Sequence, residues 1–183
     1  MTSSILRAFL PLLSAAVSFG AGVSFPSTES SVSPDRHWVV RCQTAKQGDG
    51  YLHKILLRRV DALLEAQVYA SGRSCDVLWS TAGDKLAITD WSGSNISEIY
   101  IVENSKASCR PLVVGEADKL ILRDELEGHI YHEALRWEGP SQLLIRIFGH
   151  TDANPSHGFA YYFLIDITTG GAKFIKKGNT EHS

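Results

Sequence analysis

Short runs of β-branched and aromatic residues recur along most of the chain, and clusters of glycine, asparagine, aspartate and proline separate them. Runs with this punctuation are typical of antiparallel strands joined by turns. We therefore predict a single all-β domain over residues 36–178. The runs are His37–Cys42, Lys54–Val60, Glu65–Tyr69, Asp76–Trp79, Lys85–Thr89, Glu98–Val102, Pro111–Val114, Ala134–Trp137, Leu143–Phe148, Ala160–Ile165 and Ala172–Ile175.

One charged stretch interrupts this pattern. Glu116–Gly128 contains good helix formers, but its leucines do not form a helical stripe. We expect one short helix or a long loop near residues 116–128.

Two tryptophans head stretches of similar pattern. Trp79 and Trp137 each precede a turn, an apolar strand, a polar loop and a second aromatic-aliphatic strand. Self-similarity of this kind indicates a repeated supersecondary unit. Burying each indole between neighbouring sheets contributes a few kcal/mol, about 25 cal/mol per Å² of apolar area. We expect the two rings to occupy equivalent environments.

The segment Leu78–Asp90, followed by Ile99–Glu103, resembles the TolB-type β-propeller repeat. That repeat has a Trp-Ser pair, a turn with glycine, a Leu-Ala strand and a later strand ending in an acid. Thr81-Ala82 stands where the family has Pro-Asp, and the copy headed by Trp137 matches more loosely. The resemblance implies propeller-type β meanders and a packing role for the tryptophans.

The predicted strands make fewer than three four-stranded units, because the first unit, from Trp38 to Val68, is incomplete. Propellers ordinarily need at least four blades to close. The chain therefore has too few blades for a closed ring. A sandwich-like stack, a partial propeller or copies joined through an exposed edge strand remain. We favour a monomer, and self-association stays possible.

The first residues have the pattern of a secretory signal. Arg7 precedes the apolar stretch Ala8–Val17, and small residues follow, so cleavage after Ser18 or after Ser24 fits. An uncleaved membrane anchor is the alternative. We assign residues 1–24 to the signal, 25–35 to a flexible leader and 179–183 to a tail. A secreted or periplasmic location follows.

Composition narrows the partners. Lysine and arginine number 18 against 20 acidic residues, for a net charge of −2. The isoelectric point near 6.4 leaves little positive charge to neutralise phosphates, so nucleic-acid binding is not expected. Beyond the N-terminal segment, no apolar run is long enough to span a membrane.

An exported chain meets oxidising conditions, so a disulfide is expected among its three cysteines. In the repeat interpretation, Cys42 ends one strand and Cys75 precedes the next unit at the same end of the sheets. Cys109 falls at the opposite end. We predict a Cys42–Cys75 bridge, with three reduced, buried thiols as the alternative.

Residues suited to chemistry are sparse. His129, His132, His150 and Asp152 are of types that hold divalent metals, which makes a secreted metal-dependent hydrolase the alternative function. The order lacks the His-Glu-x-x-His signature, and neither a Gly-x-Ser-x-Gly elbow nor a phosphate loop occurs. We expect no catalytic residue, metal or cofactor.

The loops Asp90–Ser97 and Gly149–Gly158 occupy corresponding places in the two units, so both should open on one face. Trp91, among small polar residues, offers contact area for recognition. We predict an exported, non-enzymatic binding or scaffold protein whose partner is a protein or a small polar ligand. The predicted binding residues are Trp91, Asn95, His150, Asp152, Asn154 and His157.

Overall fold

A computed structural model describes residues 22–121 and 123–178, with thirteen strands in three antiparallel sheets. Sheet I has the order β2 (Ser30–Val32), β3 (Trp38–Gln47), β4 (Gly50–Arg59) and β5 (Ala66–Ser71). Sheet II has the order β1 (Val23–Phe25), β6 (Cys75–Trp79), β7 (Lys85–Asp90), β8 (Glu98–Glu103) and β9 (Ser108–Pro111). Sheet III has the order β10 (Gly128–Trp137), β11 (Gln142–Thr151), β12 (Asn154–Asp166) and β13 (Ala172–Gly178).

The predicted fold class is confirmed. Each sheet is a meander of four sequential strands, and sheet II gains β1 at its edge, beside β6. The expected helix is α1 (Gly115–Asp118), and a 3₁₀ turn, Arg123–Leu126, follows it. In the described part of the chain, no helix has the length and apolar character needed to cross a membrane.

Two apolar layers hold the sheets together, and sheet II lies between the other two. One layer packs Val40, Ile55 and Leu57 of sheet I against one face of sheet II. The second packs the other face of sheet II against sheet III, whose Leu143 and Phe163 are fully buried. Strand side chains alternate between the two faces of a sheet, so β7 supplies Leu86 to one layer and Ala87 to the other.

The two tryptophans are equivalent, as the repeat predicts. Trp79 pairs with Leu86 and Trp137 with Leu143, each at the end of the first strand of its meander. Both rings are buried, and each indole donates to the first strand of the preceding sheet. Trp79 Nε1 donates to Ser31 Oγ at 3.0 Å, and Trp137 Nε1 donates to the carbonyl oxygen of Leu78 at 3.3 Å.

The segment predicted as a flexible leader is instead ordered, and this corrects the blade count. Ser30–Val32 pairs with β3 and completes the first meander. Phe25 has no exposed surface and lies in the layer between sheets I and II. Its neighbours in β1 pair with β6, within the range assigned to the signal. Residues 1–21 and 179–183 lie outside the described residues.

The hairpin of sheet III is longer than predicted. β11 and β12 pair from Gln142–Asp166 to Thr151–Asn154, with a register shift between His150 and Thr151, and they are joined at Asp152–Ala153, where the sequence predicts a loop over Gly149–Gly158. Gly149 permits the close approach of β10 to β11, because a Cβ there would lie 1.7 Å from the carbonyl oxygen of His129 on β10. The strand predicted at Pro111–Val114 begins earlier, at Ser108.

The predicted Cys42–Cys75 bridge is absent, because all three cysteines are free thiols. Cys109 lies within β9 opposite Val102, at the end of sheet II away from Cys75 as predicted, and it packs on the same apolar layer as the other two. Burial raises the pKa of Cys75 to about 12 and that of Cys109 to about 11. The thiols therefore behave as small apolar side chains within the layer.

Candidate functional site

The outward face of β10 and β11 carries aromatic and charged side chains in cross-strand pairs. Glu133 lies opposite Arg146, Tyr131 opposite Phe148, and His129 opposite His150. The guanidinium of Arg146 lies 4.1 Å from the centre of the Phe148 ring and also forms an ion pair with Glu133 at 2.6 Å. These rings are half-buried, so the sheet presents an aromatic surface whose polar groups are held in place.

Trp91 extends this surface from the neighbouring sheet. Its ring centre lies 6.3 Å from that of Tyr131 and 6.5 Å from that of Phe148. The indole Nε1 donates to Asp76 Oδ2 at 2.7 Å, which fixes the ring at the junction of sheets II and III. The Tyr131 hydroxyl donates to the carbonyl oxygen of Ser94 at 2.5 Å, so the loop after β7 is tied to β10.

Histidines form the upper end of the surface. The rings of His129 and His150 stack with their centres 4.4 Å apart. Asp152 lies at the hairpin tip, with its Oδ1 3.8 Å from His129 Nε2. Its side chain is exposed, so the carboxylate is accessible from solvent beside the ring pair.

The structure brings three predicted binding residues together. Trp91 packs near the Phe148 ring of β11, and His150 and Asp152 lie at the end of the same face. Asn95 is exposed in the neighbouring loop, where its backbone oxygen accepts from the amide of Ile130 at 3.1 Å. The side chains of Asn154 and His157 lie outside the described ones. We define the aromatic surface as Trp91, Asn95, His129, Tyr131, Phe148, His150 and Asp152.

The histidines do not converge on a metal site. His132 lies on the opposite face of β10 from His129, and its Nδ1 lies 3.1 Å from the carbonyl oxygen of Ser97. Among the residues described, no group of three or more histidine, cysteine or acidic side chains could hold a metal ion. The residues proposed for the hydrolase alternative, His129, His132, His150 and Asp152, therefore form no such group within this part of the chain.

Two grooves adjoin below the aromatic surface, on either side of a β-bulge at Ala134–Arg136. The inner groove, about 420 Å³, has Asp76, Thr89 and Glu133 in its lining. The outer groove, about 550 Å³, runs along the outward face of sheet III, and Leu135 and Arg136 line both. A bulge re-aims side chains locally, so Arg136 forms the shared wall. The outer groove is lined by Leu135, Arg136, Glu138, Gln142, Leu144, Tyr162, Leu164, Ile175 and Lys176.

Sequence reasoning missed Tyr131, Phe148 and Arg146 as site residues. The signal that could have found them is alternation, because His129, Tyr131 and Glu133 follow a period of two. The polar character of that stretch hid the strand, which was predicted to begin only at Ala134.

Comparison with known proteins gives little further support. No protein-family model matches the chain, and no curated protein matches it. A solved structure with some likeness is TolB from Acinetobacter baumannii, at 12% sequence identity and a TM-score of 0.37. The match covers 86% of this chain but 44% of TolB, so this chain spans less than half the length of that protein. A likeness at this distance leaves the function to be argued from the residues.

Proposed function

We propose that the protein is an exported, non-enzymatic binding or scaffold module that recognises its partner through the aromatic surface. The partner is a protein or a small polar ligand. The observation that carries this is the half-exposed cluster of Trp91, Tyr131 and Phe148, fixed by hydrogen bonds to Asp76 and Ser94.

Energetics favour recognition at such a cluster. Aromatic rings and arginine supply most of the binding energy in protein interfaces, since they offer large contact area at low entropic cost. Here the rings are already ordered, and Arg146 is held between Glu133 and Phe148. A partner therefore gains contact area without the cost of ordering these side chains.

Site-specific photocrosslinking tests the proposal in cells that produce the protein. A benzophenone amino acid replaces the exposed Asn95, and a matched control replaces the exposed Ser105, in the turn before β9 at the opposite end of the sheets. We expect a discrete adduct from position 95 that Trp91→Ala reduces at least tenfold, as losing about 1.4 kcal/mol or more of binding energy requires. Equal adducts from both positions, or none from position 95, contradict the proposal.

Export is part of the same proposal, and the structure favours one of the two cleavage positions. Cleavage after Ser24 would remove most of β1 and place a charged amino group on Phe25, which is fully buried. Ser24 also hydrogen bonds to Asp76 through its hydroxyl. Cleavage after Ser18 leaves the strand intact. We expect the exported protein to begin at Phe19, as measured by N-terminal sequencing; a chain beginning at Phe25 contradicts this.

A further inference from the structure

The outer groove matches a face through which two sheets pack, and among residues 22–121 and 123–178 no sheet covers it. The repeat aligns sheet III with sheet II, because Trp137 pairs with Leu143 as Trp79 pairs with Leu86. One position further along, Leu144 pairs with Leu164 as Ala87 pairs with Ile101. In sheet II this second pair is completely buried beneath sheet III.

The equivalence extends across the groove. Tyr162 lies opposite Arg146, just as Ile99 lies opposite Thr89, and Ile99 is buried in the same layer. Of the positions through which sheet II holds sheet III, three carry Leu144, Leu164 and Tyr162 on the outward face of sheet III, whereas Arg146 stands where sheet II has Thr89. Leu164 and Tyr162 are partly exposed there.

The described residues leave the opposite end of the stack uncovered as well. In sheet I, Val32 pairs with Val39 at the place where Trp79 pairs with Leu86 in sheet II. Val32 is 52% exposed, whereas Trp79 is 4% exposed. We call this outward side of sheet I the leading face; it also carries Arg41 and Arg58, which share Glu65.

We propose that two copies of the chain associate head to tail, each leading face packing into the outer groove of the other. We infer a second copy as the partner because sheets pack face to face twice within one chain, sheet I on sheet II and sheet II on sheet III. The leading face of one copy and the outer groove of another are the two faces that the same kind of contact requires. Two copies bring together six meanders, within the four to eight at which blades close into a ring. Two-fold closure covers both uncovered faces in both copies and leaves no open end for further growth.

The charges set the conditions under which the pair forms. Arg136 of the outer groove forms an ion pair with Glu138, and Lys176 lies 4.6 Å from the centre of the Tyr162 ring. Each face carries two basic side chains and one acidic side chain, which leaves one excess positive charge. They are Arg41, Arg58 and Glu65 on the leading face and Arg136, Lys176 and Glu138 in the groove. The attraction is therefore apolar, and salt that screens the remaining repulsion strengthens it.

Sedimentation velocity on the purified chain tests the proposal over a concentration range from about 5 μM to about 500 μM. The runs are made at about 0.15 M and about 0.5 M salt, where the Debye length is roughly 8 Å and roughly 4 Å. We expect the weight-average mass to rise with concentration towards twice the monomer value and no further, and to rise at lower concentration in the higher salt. A monomer throughout, or growth beyond two copies, overturns the proposal.

Single substitutions distinguish this arrangement from other dimers. Leu164→Glu in the groove and Val32→Glu on the leading face should each shift association at least tenfold in concentration. Leu63→Glu and Val60→Glu are the matched controls, because these exposed residues lie in the turn after β4. Circular dichroism checks that every variant is folded.

Controls that associate like the unaltered chain support the proposal. A dimer that tolerates Val32→Glu but not Leu164→Glu overturns head-to-tail packing in favour of groove on groove. The proposal does not depend on the aromatic surface, since Trp91→Ala should leave the mass unchanged.

Discussion

Removing a tryptophan should cost stability in proportion to what the neighbouring sheet covers. Trp79 and Val32 occupy the same position in successive meanders, but sheet I covers Trp79 whereas the described residues leave Val32 52% exposed. The pair of substitutions Trp79→Ala and Val32→Ala therefore separates the contribution of inter-sheet packing from that of the strand itself.

The expected magnitudes follow from burial. A buried tryptophan removes roughly 200 Å² from water, which at about 25 cal/mol per Å² is about 5 kcal/mol, and Ala retains a small part of it. Losing the bond from Nε1 to Ser31 adds about 1 kcal/mol, although Ser31 can turn to solvent. We expect Trp79→Ala to cost about 3–5 kcal/mol and Val32→Ala to stay within about 0.5 kcal/mol.

Urea denaturation followed by circular dichroism measures both, at a few micromolar so that association does not contribute. Trp137→Ala should match Trp79→Ala, because its indole has the equivalent contact with Leu78. Equal losses for Val32→Ala and Trp79→Ala would refute the conclusion that cover by the neighbouring sheet stabilises this position. The same result would also refute the assignment of the leading face and the outer groove as inter-sheet faces.

Three further outcomes test the packing between sheets. Stability should fall as pH rises above 9, because burial raises the pKa of Cys75 to about 12 whereas the thiol of the unfolded chain loses its proton near pH 9.0. Urea denaturation at several pH values should therefore show that the free energy of unfolding falls less steeply with pH in Cys75→Ala, by up to about 1.4 kcal/mol per pH unit. Identical slopes in the two proteins would contradict the burial of the thiol. Asp90→Ala should cost about 2–4 kcal/mol in the same assay, since it leaves the hydroxyls of Tyr69 and Ser71 without their acceptor at the junction of sheets I and II. Gly149→Ala should cost at least about 2 kcal/mol or shift the register of β10 against β11, because the added Cβ would meet the backbone of His129. Gly48→Ala is the control: its Cβ would meet open space, and its φ of 58° should cost about 1 kcal/mol. Equal costs for the two variants would contradict the close approach of β10 and β11.

Most strands were predictable because their pattern is local. Lys85–Thr89 and Leu143–Phe148 are short apolar and β-branched runs bounded by turn residues, and β7 and β11 contain them. β2 was not predictable in this way. Ser30–Val32 is short and polar, and it becomes a strand because β3 offers it an edge. Propensity carries no information about such a tertiary contact.

The site divides along the same line. Trp91 and His150 could be placed on one face because the repeat fixes the register of their units. Tyr131 and Phe148 required knowing that β10 extends back to Gly128, beyond the apolar part of its sequence. The stretch is held by Ser97, which accepts from the amide of His132 through its hydroxyl at 2.8 Å, and by Thr89, which accepts from the amide of Ala134. Those bonds come from sheet II, so only the assembled stack specifies the strand.

The two ends of the stack differ in a way that bears on how it is covered. At the leading face, arginines replace the apolar residues that sheet II uses, since Arg41 and Arg58 stand where Ile88 and Val102 stand in that sheet. At the outer groove, Leu144 and Leu164 keep the apolar character of their counterparts. Arginine side chains can lie along apolar surface while their charged ends stay at its edge. Leu56, which pairs with Arg41, is only 9% exposed on this face. The leading face is thus suited to both water and contact, whereas the groove gains chiefly from being covered. An association driven by the groove should therefore weaken more on Leu164→Glu than on Arg41→Glu, and the reverse order would assign the driving force to the charged face.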